Sequence, residues 1–153
     1  LNSGRPTIIL NNKTTMAYNY PLIIRNNDGT YGPTGNGLYY LPASYHNPTA
    51  KKRANKTRWC LKPPQQYEVF RVANINYVEN HGDGGLYGFL DNMDEILGKD
   101  NEERIAFFPD TEASPWHGYP ISSSEISEEI IKSWKNSPNI STRNYRSLLK
   151  REI

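Results

Sequence analysis

Three histidines, His46, His81 and His117, are the side chains of this 153-residue chain best suited to moving protons near neutral pH. His117 stands in the run Pro115-Trp116-His117-Gly118-Tyr119-Pro120. The two prolines restrict the backbone, Gly118 has the freedom to take a positive φ, and Trp116 and Tyr119 can anchor either side. An imidazole held this way has the fixed geometry that a general acid or base requires. The alternative is that Trp116 and Tyr119 pack beneath the following helix and His117 only bonds a loop carbonyl.

His81 lies in Asn80-His81-Gly82-Asp83-Gly84-Gly85, where glycines let backbone amides approach a ligand and Asp83 can orient the imidazole. A tight turn accounts for the same residues, because the spacing matches neither a P-loop nor a dinucleotide fingerprint. His46, in Tyr45-His46-Asn47-Pro48 ahead of the basic segment, is a further candidate, with a surface-loop residue as the stronger reading. The three histidines lack metal-ligand spacing and the run Asp91-Asn92-Met93-Asp94-Glu95 lacks an EF-hand ladder, so no metal and no other cofactor is called for. Cys60, beside Trp59, reads as a packing residue, and no Gly-x-Ser-x-Gly elbow occurs.

The segment 51–59, KKRANKTRW, concentrates five cations ahead of a tryptophan. Cations on phosphates and rings on bases are what single-stranded nucleic acid requires. Arg53, Lys56 and Arg58 are therefore candidate phosphate contacts, with Trp59, Tyr39 and Tyr40 as candidate stacking surfaces for nucleic acid, RNA above all, or for a nucleotide. A solvated helix face is the competing reading. The second basic run, 143–151, is amphipathic, so its leucines face a core and its charges face water. Sequons at Asn12, Asn55 and Asn139 are what chance places in an asparagine-rich chain.

The elements that must position these groups are short. TIIL at 7–10 and PLIIR at 21–25 read as strands around a polar turn at 11–19, and 26–37 is a long loop before the strand-like GLYYLP. Pro48 opens a short basic helix over 48–58, and YEVFRVANINYV at 67–78 alternates as a central strand. Glycines 82–88 break the pattern, a helical turn follows near 91–97, and RIAFFPD at 104–110 is another strand. Ser122 and Glu125 form a capping box for a helix over 124–135, and Ser141 caps a second one. The chain is expected to be one α+β domain over 1–153, with a small, mainly antiparallel sheet and a short basic helix in a strand-rich part to 110. A C-terminal helical pair follows over 121–153.

A single cysteine excludes a disulfide scaffold and fits a reducing, cytoplasmic setting; no apolar run is long enough to cross a membrane. A net charge of +2 is too small for a generic polyanion binder, so local clusters must carry any such role. The expected function is a small bacterial-type effector or toxin-like domain that cleaves RNA without metal, His117 and His81 sharing the proton transfers. GNGLYYLP at 35–42, followed by Ala50 and Ala54 and then by YEVFRV, resembles the glycine-aromatic strand and alanine-bearing helix of ADP-ribosyltransferases. That resemblance implies NAD cleavage; Arg5 and Arg25 are open to the family's first-strand cation, and no position takes its catalytic glutamate. A non-enzymatic immunity or adaptor protein, binding a cognate protein partner through exposed tyrosines, is the third reading.

Overall fold

The computed structural model describes residues 7–10, 13–16, 18–112 and 114–153. Arg5 and Asn12 lie outside them. The organising element is a four-stranded antiparallel sheet in the order β3-β4-β5-β6, made by His81–Gly82, Gly85–Gly88, Ile105–Pro109 and Tyr119–Ile121. A separate hairpin pairs β1 (Thr7–Leu10) with β2 (Lys13–Met16). β2 thus falls where a polar turn was expected, and residues 21–25 form no strand.

Period-two alternation gives the sheet two apolar faces. Leu86, Ala106 and Phe108 point to one side, where they meet Val69 and Phe70 of α1 (Pro63–Ile75) together with Trp59 and Trp116. Tyr87, Ile105 and Phe107 point to the other, against Ile131 and Trp134 from α3 (Glu128–Ser133) and its C-cap, and Tyr145 and Leu148 of α4 (Thr142–Leu149). The register Leu86↔Phe108 and Tyr87↔Phe107 keeps each pair on its own face. The α+β class, the antiparallel sheet and the closing helical pair are as the sequence led us to expect.

Two elements are interchanged relative to the expectation. Residues 67–75 are helical: Pro63 and Pro64 occupy the first turn, the Gln65 side chain accepts from the Lys62 N–H at 2.9 Å, and Tyr67, Phe70 and Asn74 recur at helical spacing among the buried residues. A short helix, α2 (Tyr77–Asn80), then leads into β3. The segment 48–58 forms no helix; Lys51 to Lys56 are all exposed, so a helix there would have had no apolar face to bury. The part before residue 110 therefore carries the longest helix of the fold.

The glycine run 82–85 forms the β3–β4 hairpin turn, with Gly84 at φ +93°. The turn reading of that segment holds. Among the described residues no helix is long and apolar enough to cross a membrane.

The cap of α3 is displaced from Ser122 to Ser127, whose hydroxyl accepts from the Ile130 N–H at 3.3 Å, while Ser122 precedes only a one-turn 3-10 segment. Ser141 caps α4 as expected, accepting from the Asn144 N–H at 3.1 Å. Ser141→Ala is expected to lower stability by about 1 kcal/mol, and Ser122→Ala by less than half of that. Urea unfolding of the two variants checks this, and equal effects would contradict the cap assignment.

Candidate functional site

The site is built where the chain crosses into β6. Trp116 is locked to the preceding loop from both sides: its N–H donates to the Tyr39 carbonyl and its carbonyl accepts from the Leu41 N–H, each at 2.8 Å. Its ring is buried against Phe70. The next residue, His117, is thereby set beside Leu41 and directs Nδ1 to the Leu41 carbonyl at 2.9 Å. Gly118 is required for space and not for a positive φ, because a Cβ there would collide with the ring of Phe108. Tyr119 then enters β6 opposite Phe107.

A second imidazole meets this corner from a distant part of the chain. His46 ends a one-turn 3-10 segment, Ser44–His46, and is 5% exposed. Its ring stacks on Tyr119 with centroids 5.0 Å apart and planes at 21°. Its Nδ1 faces the Thr57 carbonyl at 2.5 Å, while Thr57 Oγ1 donates to the Pro120 carbonyl at 2.7 Å. The Trp59 N–H donates to the His46 carbonyl at 2.8 Å, and Trp59 Nε1 donates to the Gly118 carbonyl at 3.2 Å. The loop 44–59 is in this way stitched along the β6 edge.

His46 and His117 line one cleft of about 130 Å³ with Tyr45, Lys56, Thr111 and Tyr119. A carbonyl can only accept, so each histidine presents its Nδ1–H to the backbone and keeps Nε2 as its one remaining nitrogen. Burial, reinforced by nearby Lys56, holds the His46 imidazole below its ordinary value and outweighs the bond to Thr57. Burial above all, with Glu125 and Tyr45 adding to it, pushes the Tyr119 phenol up, so it stays neutral.

Cations stand at the mouth. Arg53 and Lys56 face each other across a tight turn, with the Lys56 N–H donating to the Arg53 carbonyl at 3.2 Å. The Lys56 Nζ lies 5.0 Å and the Arg53 guanidinium carbon 5.8 Å from the centre of the Tyr45 ring. Among the described residues the wall of the cleft carries Lys56 and no carboxylate, and that charge suits an anion.

The other expected site residues lie elsewhere. Arg58 grips Asp100 through two nitrogens, the shorter contact 2.7 Å, and also donates to the Ala50 carbonyl at 3.0 Å; it anchors the basic loop, and its fork is not free for phosphate. The bonds from Arg58 hold the Asp100 carboxyl below the usual range, and Asp100 in turn raises Arg58. Trp59 and Tyr40 are fully buried and offer no stacking face; the Tyr40 hydroxyl donates to Gln66 Oε1 at 2.9 Å. Tyr39 is exposed but borders a different depression, with Asp28, Thr30 and Pro115.

His81 sits on β3 with Nε2 3.8 Å from Asp110 Oδ2, stacked on Tyr77, and Asp110 rather than Asp83 is the carboxylate beside it. β3 and β6 are opposite edges of the sheet, three strand spacings or about 14 Å apart, so His81 and His117 are not brought together. Cys60 is exposed rather than packed, its thiol 3.4 Å from the Ile96 carbonyl. Among the described residues no group of three His, Cys, Asp or Glu side chains is placed to hold a metal.

His46 is the cleft residue that the sequence ranks behind His117 and His81. The available signal was its aromatic neighbour Tyr45 and the cationic run that follows within ten residues.

Fold and site together define a small α+β protein with a two-histidine, cation-rimmed cleft. The chain matches no protein-family model, and neither a curated protein nor a solved structure is significantly similar to it. The elements behind the likeness to ADP-ribosyltransferases do not form: Tyr40 makes isolated bridges, 48–58 is loop and 67–75 is helix.

Gly118→Ala is expected to destabilise the fold by about 1–3 kcal/mol through overpacking against Phe108 and to displace His117. Thermal melting and the His117 imidazole NMR shifts check both. The His46 shift has a definite sign for stability: its folded pKa lies below the unfolded value near 6.5, so the folded state binds fewer protons. That contribution is fully present above pH 6.5 and is lost as pH falls through the folded value. His46→Gln is expected to lose less melting temperature than the wild-type protein between pH 7.5 and pH 5.

Proposed function

We propose that this protein cleaves RNA without a metal ion, as a small effector or toxin-like ribonuclease of bacterial type, with His46 and His117 as the proton-transfer pair. The observation that carries this reading is that both imidazoles line one cleft with Nδ1 anchored on a backbone carbonyl. Each has a single nitrogen left for chemistry.

Transesterification needs no more. His46, kept neutral by burial, takes the proton of the ribose 2′-hydroxyl through Nε2 as the oxygen attacks phosphorus. His117 gives a proton to the departing 5′-oxygen as the phosphorus–oxygen bond breaks. The products are a 2′,3′-cyclic phosphate and a free 5′-hydroxyl. Lys56, in the wall of the cleft, and Arg53, over the neighbouring Tyr45 ring, lower the cost of the extra negative charge on the phosphorane. Tyr45, 40% exposed beneath those cations, is the aromatic surface within reach of a flanking base. The single cysteine fits action in a reducing, cytoplasmic compartment.

One observation favours a second reading, a binding module for a cognate protein. Leu22 and Ile24 are 94% and 81% exposed on an extended segment whose Tyr18 and Tyr20 hydroxyls are tied inward to Glu68 and Glu95. Exposed apolar side chains held on a fixed backbone suit a partner surface. In that case replacing His117 has no consequence for binding.

The deciding experiment incubates the protein with a single-stranded RNA in EDTA and with a DNA of the same sequence. RNA is cut to a cyclic phosphate and DNA is not. His117→Ala lowers the rate by about 10²–10⁴-fold with the fold retained, and Lys56→Met by less. The acid limb of the kcat/KM profile, set by His46 as base, falls below pH 6.5. Cleavage that needs a divalent ion, or that survives loss of His117, overturns the proposal.

A further inference from the structure

A second pair of clefts lies at the other end of the sheet, away from His46 and His117. Phe89, which follows β4, borders one of them together with Val72, Asn76, Asn80, Asn92 and Asn139, in a space of about 370 Å³. Asp91 and Pro138 complete the wall. The volume is that of a ligand cleft, and its polar lining is mostly amide. Asn80 is only 3% exposed, and its Oδ1 is buried with no hydrogen-bond partner. A buried acceptor left unmatched costs stability, which a donor arriving from a ligand recovers. Amides offer donor and acceptor together, which is the edge that a nucleobase reads.

The adjoining cleft, of about 390 Å³, is basic. Arg104 and Arg143 line it with Ser141, Asn144 and Ser147, and Asp94 and Ile153 stand in the same wall. Arg104 Nη1 donates to the carbonyls of Met93 and Asp94, at 3.3 and 2.7 Å. The two clefts share Asn92, which lies in a left-handed turn with φ of 50°, 56° and 67° at Asp91, Asn92 and Met93. Asn92 is fixed from α4: its Oδ1 accepts from the Ser141 N–H at 2.7 Å and its carbonyl from Asn144 Nδ2. Non-glycine residues held at positive φ are costly and persist where the surrounding structure imposes them.

We infer that these clefts form one binding site for a nucleoside monophosphate, distinct from the histidine cleft. The base lies among Asn76, Asn80 and Asn139 beside Phe89, and the phosphate lies between Arg104 and Arg143, on either side of Asn92. The site does not depend on the ribonuclease reading.

The test is calorimetric titration of the intact protein with AMP, GMP, CMP and UMP, and with the corresponding nucleosides and ribose 5-phosphate. At least one nucleotide is expected to bind, and to bind equally well to His117→Ala. Arg143→Ala, at the surface, is expected to weaken the nucleotide about tenfold and to leave the nucleoside unchanged. Asn80→Ala is expected to weaken both, and the Asn76 and Asn92 side-chain amide resonances of the wild-type protein to shift on binding, which keeps the test open if Asn80→Ala does not fold. Failure of all four nucleotides to bind overturns the site. So do loss of binding in His117→Ala, which would put the ligand in the histidine cleft, and equal affinity for ribose 5-phosphate, which would remove the base from the site.

Discussion

The ring of Phe108 is the contact on which the separate parts of this protein depend. It stands in the central strand pair opposite Leu86, with ring centroids 5.1 Å from Phe70 of α1, 5.9 Å from Tyr40 and 6.3 Å from Trp59. Gly118 closes over it with no room for a side chain. Helix, loops and the histidine corner are thus each set against one fully buried aromatic ring, and interiors this dense transmit a displacement from one neighbour to the next. The position of His117 is in this sense a packing property before it is a chemical one.

The basic loop is held by a different force. It contributes nothing to the apolar core except Trp59, and its remaining contacts are polar: Arg58 to Asp100, Lys99 Nζ to the Pro48 carbonyl, Lys52 Nζ to the carbonyls of Arg53 and Lys56. Arg58, with Lys52 beside it, anchors the loop so that Arg53 and Lys56 are presented at a turn. Arginine suits the anchoring role, because its planar fork meets a carboxylate through two bonds and a carbonyl through a third. A sequence of five cations gives no sign of which is the anchor, since Asp100 lies 42 residues from Arg58.

What could be read from the chain followed the range of the interactions involved. β5 was legible because RIAFFPD is apolar on both faces, as a strand between two layers must be. α4 was legible because Ser141 and Asn144 make its cap within three residues. The segment 67–78 was misread because its apolar residues satisfy period two nearly as well as helical spacing, and the decisive signal was the proline pair before it. His46 was ranked low for another reason: its burial comes from Tyr119, far along the chain, and the nearby Tyr45 and cationic run do not reveal that the ring is buried. His81 was overvalued because glycines that serve a hairpin also make a loop look fit for a ligand.

The choice of backbone carbonyls to orient both imidazoles has a chemical consequence. A carboxylate behind a histidine stabilises the imidazolium and raises its basicity, whereas a carbonyl fixes the tautomer without adding a full charge. Only the bond to the Thr57 carbonyl favours the His46 cation, and burial, with Lys56 nearby, outweighs it in favour of the neutral ring. The burial that places His46 against Tyr119 also lowers its affinity for a proton, as the proposed base requires. Under the proposed chemistry the depth at which His46 is packed suits it to the role of base, and its stack on Tyr119 belongs to that role.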